Sequence, residues 1–548
     1  MSNNQSNEAK KTSNFLKGAT ILAAAGVLSR LLGLFYKVPL YRLVGSFGNG
    51  IYGNVTNIYN MLLMVSTVGV PVAISKMVSE STAVGDYRGA KDVFRVSMAA
   101  LLVLGGVSSL FLGLGAHFII RIAHWPPESY SAIIAIAPAP FIISVCSAFR
   151  GFFQGFQIMT PTAISQIVEQ IVRVFLGILL CWFYVTGIRH DIGKGVGGAI
   201  FGATAGGMVA AVMLAAIFWI FMDTYGAKLK RTTRRKPRSW QRLLRRLVVI
   251  AVPVTLTSVI VSLFATINSF IYVPRLAVAG INAHTATIMF GDFTNVDTLV
   301  NVPLIISANL AVAMIPAISE SFALRDKVTT NHKIDLAIRI VILVGLPCCV
   351  GMSVLSKGIF NLLFPGSKYG PGMLRVFAYA TMFMMLSNIF QSILQSIDHF
   401  RVPLITLGLG IIVFSVTGWI AMSIPAINIY GMGLDYMLTF IYLTVANYIC
   451  VKRFTGVRIS WHRTVVKPLI ATAVMGVVTS LVYRCLLGVI GNFLAMIIAF
   501  AAAVAVYAVM IILTGAISDE EIAVLPGHRR IVPLYRKLLH WRQRVFKA

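Results

Sequence analysis

Residues 149–175 read FRGFFQGFQIMTPTAISQIVEQIVRVF, two apolar runs that meet near a proline. The second run is long enough to cross much of a membrane, yet Glu169 and Arg173 lie in its middle. At 1.5 Å per residue they are about 12 and 18 Å into a helix that starts near Pro161. A central arginine costs about 2.5–3.5 kcal/mol on insertion scales, so such residues nearly always face a bundle interior or a wet cavity.

The composition of the whole chain indicates an integral membrane protein. Of its 548 residues, 57% are hydrophobic and only 12% are charged, with a mean hydropathy of +0.83. Soluble globular chains carry about 25% charged residues. Apolar runs of membrane-crossing length recur without the alternation of barrel strands. We therefore expect an all-α polytopic membrane protein of about fourteen transmembrane helices. Two of the predicted gaps between consecutive spans lie at 44–50 and 488–492.

The net charge of +29 is distributed as membrane topology requires. Basic residues occupy the short gaps between apolar runs, most of them in alternate gaps, which are assigned to the cytoplasm. The strongest cluster, KLKRTTRRKPRSWQRLLRR at 228–246, is interpreted as a topology anchor beside anionic lipid headgroups, with a partner or nucleic-acid site as the alternative. We expect no nucleic-acid partner and place both termini in the cytoplasm, because the spans are even in number and both tails are basic.

Sequence signatures of enzymes and of metal or cofactor sites are missing. The six cysteines are scattered through apolar runs without C-x-x-C spacing. No phosphate-binding loop, H-E-x-x-H motif or nucleophile elbow occurs. We therefore expect a non-enzymatic protein without a cofactor or metal ion.

The chain repeats itself at a separation of 235 to 245 residues. Four motifs recur in the same order: FYKVPLYRLVG at 35–45 and FIYVPRLAVAG at 270–280, GNVTNI at 53–58 and GDFTNV at 291–296, VPVAIS at 70–75 and IPAIS at 315–319, and FRGFFQG at 149–155 and FQSILQS at 390–396. The first span matches the seventh, so it is expected to be a structural helix and not a cleaved leader. Parallel repeats of this kind are a transporter architecture that holds substrate between the halves near the midplane.

The repeat predicts a domain organisation of two six-helix lobes with additions. The predicted segments are an N-lobe at 1–222, a basic cytoplasmic linker at 223–246, a C-lobe at 247–452, two additional spans at 453–515 and a basic cytoplasmic tail at 516–548. Two lobes fit within one chain, so the design needs no second copy and a monomer is expected.

Glu169 and Arg173 have two interpretations. They are four residues apart with the acid first, the spacing that lets the two side chains meet on one helix face. The structural interpretation is an ion pair that locks helices together. The functional interpretation is a cavity charge whose cation is lent to the substrate.

Arg30, in GVLSRLLGLFYKV midway along the first span, favours the functional interpretation because no acid is nearby in the sequence. Its planar guanidinium suits phosphate oxygens, although packing is the alternative. Lys37 follows two turns later on the same face, and Arg275 is expected at the outer rim as a further candidate for substrate binding. Asp297 is a candidate for a coupling ion, with a helix N-terminal acid as the alternative. The balance of intramembrane charge is positive and predicts an anionic substrate.

The segments RGFFQGFQIMTPTAISQIVEQIVRV, SRLLG and GVPVAISKMVSE resemble the polysaccharide-transporter branch of the multidrug/oligosaccharidyl-lipid/polysaccharide (MOP) flippase superfamily. Within it the chain is most similar to the group of Gram-positive lipid II flippases and stage V sporulation protein B. The resemblance implies two six-helix lobes plus two helices, alternating access, and cavity cations that bind the diphosphate of undecaprenyl-diphosphate-linked sugars. The arginine of the S-R-x-x-G pattern falls on Arg30. Tyr36 and Lys37 stand where proteobacterial members carry an Arg-Asp pair.

These observations favour a flippase of the bacterial cytoplasmic membrane for a lipid-linked sugar precursor, lipid II for peptidoglycan synthesis above others. Another lipid-linked polysaccharide unit is an open alternative. A multidrug or cation antiporter of the same superfamily is a second alternative, but it would need carboxylates in the cavity. A membrane scaffold for cell-wall assembly is a third, but it would have no need of an unpaired charge at mid-membrane.

Overall fold

The structure is a computed structural model that describes residues 2–188, 191–231, 239–457 and 459–516. Parts of the predicted linker, at 232–238, and of the predicted tail, at 517–548, lie outside the described residues. The described residues form fifteen α-helices and no strand. The helices are α1 (Ser2–Thr67), α2 (Gly69–Ala83), α3 (Tyr87–Ala123), α4 (Ser129–Ile136), α5 (Ala139–Gly155), α6 (Thr160–Trp182), α7 (Ile192–Arg231), α8 (Trp240–Val278), α9 (Ala283–Ala323), α10 (Lys327–Val354), α11 (Ser356–Leu363), α12 (Gly370–Ser396), α13 (Arg401–Ala421), α14 (Gly431–Thr455) and α15 (Lys467–Thr514). Two π-helical segments, Phe183–Ile188 and His462–Val466, and a 3₁₀ turn, Asn428–Tyr430, complete the described structure.

The predicted class, an all-α polytopic membrane protein, is confirmed. In the described parts of the chain, twelve helical segments are long and apolar enough to cross a membrane. Two of the longest helices contain a break: α1 at Gly45, with φ of 65°, and α15 at Gly491, with φ of 76°. Glycine adopts this left-handed backbone without steric cost. Both breaks lie where the sequence predicted a boundary between spans, while the number fourteen stays a prediction.

The internal repeat has a structural counterpart in the turn that precedes α3 and α10. Asp86 and Asp326 are 240 residues apart, and each carboxylate accepts a hydrogen bond from the backbone N–H three residues later, at 2.8 and 3.0 Å. These are N-cap bonds, which satisfy a free donor of the first helical turn. The residue before each aspartate, Gly85 or Arg325, is left-handed, with φ of 73° and 57°. One helix–turn–helix geometry therefore occurs in both halves.

A second matched turn follows α5 and α12. Gln157 and Asp398 are 241 residues apart and are left-handed, with φ of 60° and 62°. In each turn, the next backbone N–H donates to the carbonyl five residues before it, at 3.0 and 2.9 Å. The turn closes the motif FRGFFQG in one half and FQSILQS in the other. It places α6 and α13 at corresponding positions after it.

By its contacts the chain forms two compact units, unit 1 at 1–291 and unit 2 at 292–548. The core of unit 1 is an aromatic group, with Phe94 stacked on Phe218 at 4.7 Å between ring centroids and Phe152 edge-on at 5.1 Å. Helix α8, which the repeat assigns to the C-lobe, packs on α1, α2 and α3 within unit 1. The predicted lobe boundaries rest on the repeat, a different criterion from packing, and stay a prediction.

Glycines bring α7 against the charged part of α6. Gly198, Gly202 and Gly206 are spaced four residues apart, so they form one stripe along α7. A Cβ atom at Gly202 would lie 2.5 Å from the Arg173 carbonyl oxygen, and one at Gly206 would lie 2.4 Å from the Glu169 carbonyl oxygen. Small residues of this kind permit close packing of helices in lipid. The stripe therefore fixes the part of α6 from which Glu169 and Arg173 project.

In unit 2, two cations attach the end of α15 to the rest of the unit. The buried guanidinium of Arg339 on α10 donates a hydrogen bond to the Ala516 carbonyl oxygen. The Lys467 ammonium donates to the Gly515 carbonyl oxygen at 3.4 Å. Carbonyls at the C-terminus of a helix lack partners within the helix and carry partial negative charge, so cations stabilise this end.

Gly202→Ala should destabilise unit 1, because the new methyl group would meet a backbone oxygen that cannot move without parting α6 from α7. We expect a loss of about 1–3 kcal/mol, the usual cost of overpacking. Thermal unfolding of the purified protein in detergent measures it. Gly106→Ala is the matched control, since a Cβ atom at this α3 position has no neighbour within 4 Å. Equal thermal midpoints for the two variants would contradict the packing described.

Candidate functional site

The carboxylate of Glu169 is paired, and its partner comes from another helix. Nη2 of Arg150, on α5, lies 2.8 Å from Oε2 of Glu169, and the two side chains are 13% and 16% exposed. Nε of Arg150 also donates to the Ser165 hydroxyl at 3.0 Å. The pairing of Glu169 with Arg173 that the spacing allowed is not formed. Arg150 was not predicted from the sequence, although this arginine stands in the motif FRGFFQG where the second repeat has Gln391.

Arg173 lies among tyrosines instead. Its guanidinium, half-buried on α6, lies near Tyr36, Tyr52 and Tyr59 of α1 and near Glu169. Within the described residues it makes no hydrogen bond or ion pair. Tyr52 and Tyr59 are seven residues apart, which places them on one face of the helix. This spacing is the signal from which the sequence could have identified them.

Lys37 joins the same group of side chains. Its ammonium lies 4.5 Å from the centroid of the Tyr52 ring, within the range of a cation–π interaction, and donates to Oδ1 of Asn49 at 3.3 Å. The rings of Tyr36 and Tyr52 are 6.1 Å apart, and the Tyr36 hydroxyl donates to the Ala199 carbonyl on α7 at 3.0 Å. Lys37, Arg173, Tyr36, Tyr52 and Tyr59 form what we call the cation–tyrosine cluster. All five belong to unit 1.

The other candidate residues are distributed over both units. Arg30 belongs to α1, but its side chain lies outside the described residues. Arg275 is partly buried in the last turn of α8, where a cation is favoured by the helix dipole. Asp297 belongs to unit 2, and its Oδ2 accepts from Nδ2 of Asn301 at 3.1 Å. It lies well inside α9, so the alternative of a helix N-terminal acid is wrong for this residue. That role falls to the buried Asp292, whose carboxylate accepts from the backbone N–H groups of Tyr369 and Gly370, at the start of α12, at 3.0 and 3.3 Å.

Chemically, the cation–tyrosine cluster is suited to an anion with several oxygens. A guanidinium offers paired donors that match phosphate oxygens, and an ammonium adds a point charge. The hydroxyls of Tyr52 and Tyr59 can donate further hydrogen bonds, whereas that of Tyr36 already donates to Ala199. Glu169, the acid near Arg173 on the same helix, is already engaged by Arg150.

Comparison with known proteins bears on the fold and the family. Residues 15–322 match the family described as polysaccharide biosynthesis protein. The chain is 26% identical over 491 residues to the lipid II flippase MurJ of Bacillus subtilis strain 168, which covers 86% of this chain and 89% of that protein. It is also 26% identical over 455 residues to stage V sporulation protein B of the same organism, covering 82% and 86% of the two chains.

Solved structures share the fold at low sequence identity. An inward-facing multidrug resistance MATE family transporter of the MOP superfamily superposes with a TM-score of 0.65 at 15% identity, over 78% of this chain and 96% of the other. A lipid II flippase MurJ in an inward closed conformation superposes with a TM-score of 0.63 at 13% identity, over 90% and 98%. The family match covers more than half of the chain and confirms the resemblance predicted from its motifs. The chain is a multi-pass membrane protein with a MOP-superfamily transporter fold, and it belongs to the polysaccharide biosynthesis protein family.

Proposed function

We propose that the protein is a flippase that moves an undecaprenyl-diphosphate-linked sugar precursor, most of all lipid II, across the bacterial cytoplasmic membrane by alternating access. Its family and its similarity to a lipid II flippase support this function. We further propose that it acts as a single chain with both termini in the cytoplasm. The observation that carries the proposal is a cation–tyrosine cluster whose charges occur in only one of the two repeats.

The repeat offers an internal control for the charges of α6. Helix α13 follows the same turn in the second half, and beyond its first residue, Arg401, it has no charged side chain. The position of Arg150 in α5 is taken by Gln391 in α12. A helix at this place in the repeat therefore packs without charge. Glu169 and Arg173 are retained at an energetic cost that packing does not require, which supports a role in binding.

A diphosphate fits this charge better than other substrate classes of the superfamily. It has several oxygens and negative charge, whereas a cationic drug would need a free carboxylate. The cluster presents Lys37 and Arg173, and the carboxylate of Glu169 is neutralised by Arg150. Arg30 precedes Lys37 by two helical turns, so we propose that it lines the same face of α1. The sugar and its carrier are proposed from the relatives, since the cluster accounts only for the diphosphate.

The remaining candidates are proposed in secondary roles. Arg275 is proposed to attract the anion at the rim of the cavity. Asp297 is proposed to hold a coupling cation, because it is a carboxylate within a membrane-spanning segment. Neither role is needed for the diphosphate to bind at the cation–tyrosine cluster.

Stability measurements should separate the paired cation from the cluster cation. Arg150→Ala leaves the Glu169 carboxylate without its partner in a mostly buried place, so we expect a loss of up to about 3 kcal/mol. Arg150→Gln with Glu169→Gln should recover most of it, since no uncompensated charge remains. Arg173→Ala should be nearly neutral, because Glu169 keeps Arg150. Thermal unfolding in detergent compares the variants. If Arg173→Ala destabilised the protein as much as Arg150→Ala, Arg173 would be structural.

Binding measurements test the role of the cluster itself. Arg173→Ala and Lys37→Gln should each weaken binding of purified protein to undecaprenyl diphosphate by about tenfold or more, since hydrogen bonds to charged groups contribute roughly 1.5–3 kcal/mol. Arg30→Ala should do the same if the arginine lines the cavity. Arg173→Lys should retain part of the affinity, because it keeps the charge and loses the planar donor pair.

The matched control is Arg121→Ala, which removes an exposed arginine from the last turn of α3 in the same unit. It should bind like the parent and complement a flippase-depleted strain. Full binding and complementation by Arg173→Ala, Lys37→Gln and Arg30→Ala would show that these cations do not hold the diphosphate.

A further inference from the structure

Helices α1 and α6 enclose an apolar groove of about 640 Å³ within unit 1. Nine of its ten lining residues are apolar, and the tenth is Arg42. The apolar walls include Leu32 and Pro39 on α1, and Ile171, Phe175, Ile178 and Trp182 on α6. We call this space the α1–α6 groove.

Helix periodicity separates the α1–α6 groove from the cation–tyrosine cluster. Lys37 precedes Pro39 by two residues, and Arg173 precedes Phe175 by two residues. Two residues turn an α-helix by about 200°, so each helix has its cluster residue and its groove residues on opposite sides. The groove is therefore a second surface of these helices and not a branch of the cluster.

The α1–α6 groove has the length of one membrane leaflet. The rise from Leu32 to Arg42 along α1 is about 15 Å, and the rise from Ile171 to Trp182 along α6 is about 16.5 Å. Half of a hydrocarbon core of roughly 30 Å is about 15 Å. Both walls belong to membrane-spanning segments, and the side chain of Phe175 is 71% exposed. The groove thus opens to the surrounding lipid and matches the depth of the acyl chains of one leaflet.

One end of the groove, which we call its mouth, has the residue types that favour lipid headgroups. Arg42 and Trp182 lie at this same end, because α1 before its break at Gly45 is the first span, α6 is the fifth, and both run in one direction. Tryptophan is enriched at membrane interfaces, where its ring meets hydrocarbon and its indole N–H meets polar groups. The stem of an exposed arginine lies along apolar surface while its guanidinium reaches the headgroups. Five N–H donors allow Arg42 to keep a neighbouring contact and still bind phosphate oxygens.

We propose that the α1–α6 groove binds an anionic phospholipid, with one acyl chain along the groove and the phosphate of a headgroup such as phosphatidylglycerol at Arg42. Under the proposed topology this lipid belongs to the outer leaflet. In a bilayer the chain gains only packing contacts, since its surroundings are already apolar. Selectivity therefore comes from the headgroup, through charge-assisted hydrogen bonds from the guanidinium.

The carrier of the proposed substrate is the other source of phosphate on a long hydrocarbon chain. Its diphosphate belongs at the cation–tyrosine cluster in the proposed function, on the far side of both helices. Its chain would have to pass around a helix to enter the groove, so a phospholipid of the bilayer is the better occupant. This site does not depend on the proposed transport activity.

Trp182 is a built-in reporter for the test, because it lines the groove. The full-length protein is placed in vesicles of phosphatidylcholine that contain a minor share of lipid brominated on its acyl chains, since bromine quenches tryptophan fluorescence on contact. The part of the quenching that is lost in Trp182→Phe reports the groove. Brominated phosphatidylglycerol should produce this quenching at about one tenth of the mole fraction that brominated phosphatidylcholine needs, the factor expected for a hydrogen bond to a charged group.

The role of the mouth is tested by Arg42→Gln, which should remove the preference for phosphatidylglycerol and leave the quenching by phosphatidylcholine unchanged. Arg121→Gln is the matched control, because it removes an exposed arginine from the last turn of α3 in the same unit. It should keep the tenfold preference. The same preference in Arg42→Gln as in the parent, or equal quenching by the two lipids in the parent, would overturn the proposal.

The role of the walls is tested by Ile178→Phe, which adds volume inside the groove and should lower the Trp182 quenching by both lipids. Leu110→Phe, at an exposed leucine of α3, is the control and should quench like the parent. Thermal midpoints establish that both variants are folded. If Ile178→Phe does not fold, the result with Arg42→Gln still decides, since Arg42 is exposed.

A competition experiment distinguishes the two lipid sources. Unlabelled undecaprenyl diphosphate should leave the quenching of Trp182 by brominated phosphatidylglycerol unchanged, because the groove and the cation–tyrosine cluster are separate. Relief of the quenching in the parent, but not in Arg42→Gln, would show that the groove holds the carrier chain and would contradict the phospholipid assignment. Binding of undecaprenyl diphosphate to the cluster is measured separately, so failure of the proposed function leaves these outcomes unaffected.

Discussion

The cost of charge in a membrane governs the interpretation of this chain. A charged side chain at mid-membrane must be paired, hydrated or bound to a ligand, because hydrocarbon offers none of these. Arg150 and Glu169 meet the requirement by pairing with each other. Arg173 and Lys37 meet it differently, among tyrosines and the amide of Asn49. The first arrangement is an ion pair within the protein, whereas the second places two cations beside the neutral side chains of tyrosines and an asparagine.

The two repeats show what the fold requires and what was added to it. Both halves keep the N-cap aspartates Asp86 and Asp326 and the left-handed turns at Gln157 and Asp398. These features form the helix–turn–helix geometry, so they occur in both halves. The charges of α6 do not recur, since α13 has no charged side chain after Arg401. We therefore assign function in unit 1 to the charged residues that have no counterpart in the second half.

Local features were predictable from the sequence because they depend on neighbours along the chain. Composition predicted the all-α membrane class, and the gaps between apolar runs predicted span boundaries where the structure has the breaks at Gly45 and Gly491. The contacts of Glu169 and Asn49 were not predictable, because their partners come from other helices 19 and 242 residues away. Spacing along α6 suggested Arg173 as the partner of Glu169, and only the packing of α5 on α6 brings Arg150 closer.

Transport by the purified protein in liposomes tests the central claim most directly. Lipid II and other undecaprenyl-diphosphate sugars would be placed in one leaflet, and their appearance in the other measured. Uncharged undecaprenyl-linked sugar and a cationic dye would serve as comparisons. We expect translocation that requires the diphosphate, and the preference among sugars would identify the natural substrate. Transport of the cationic dye without movement of any diphosphate lipid would contradict it.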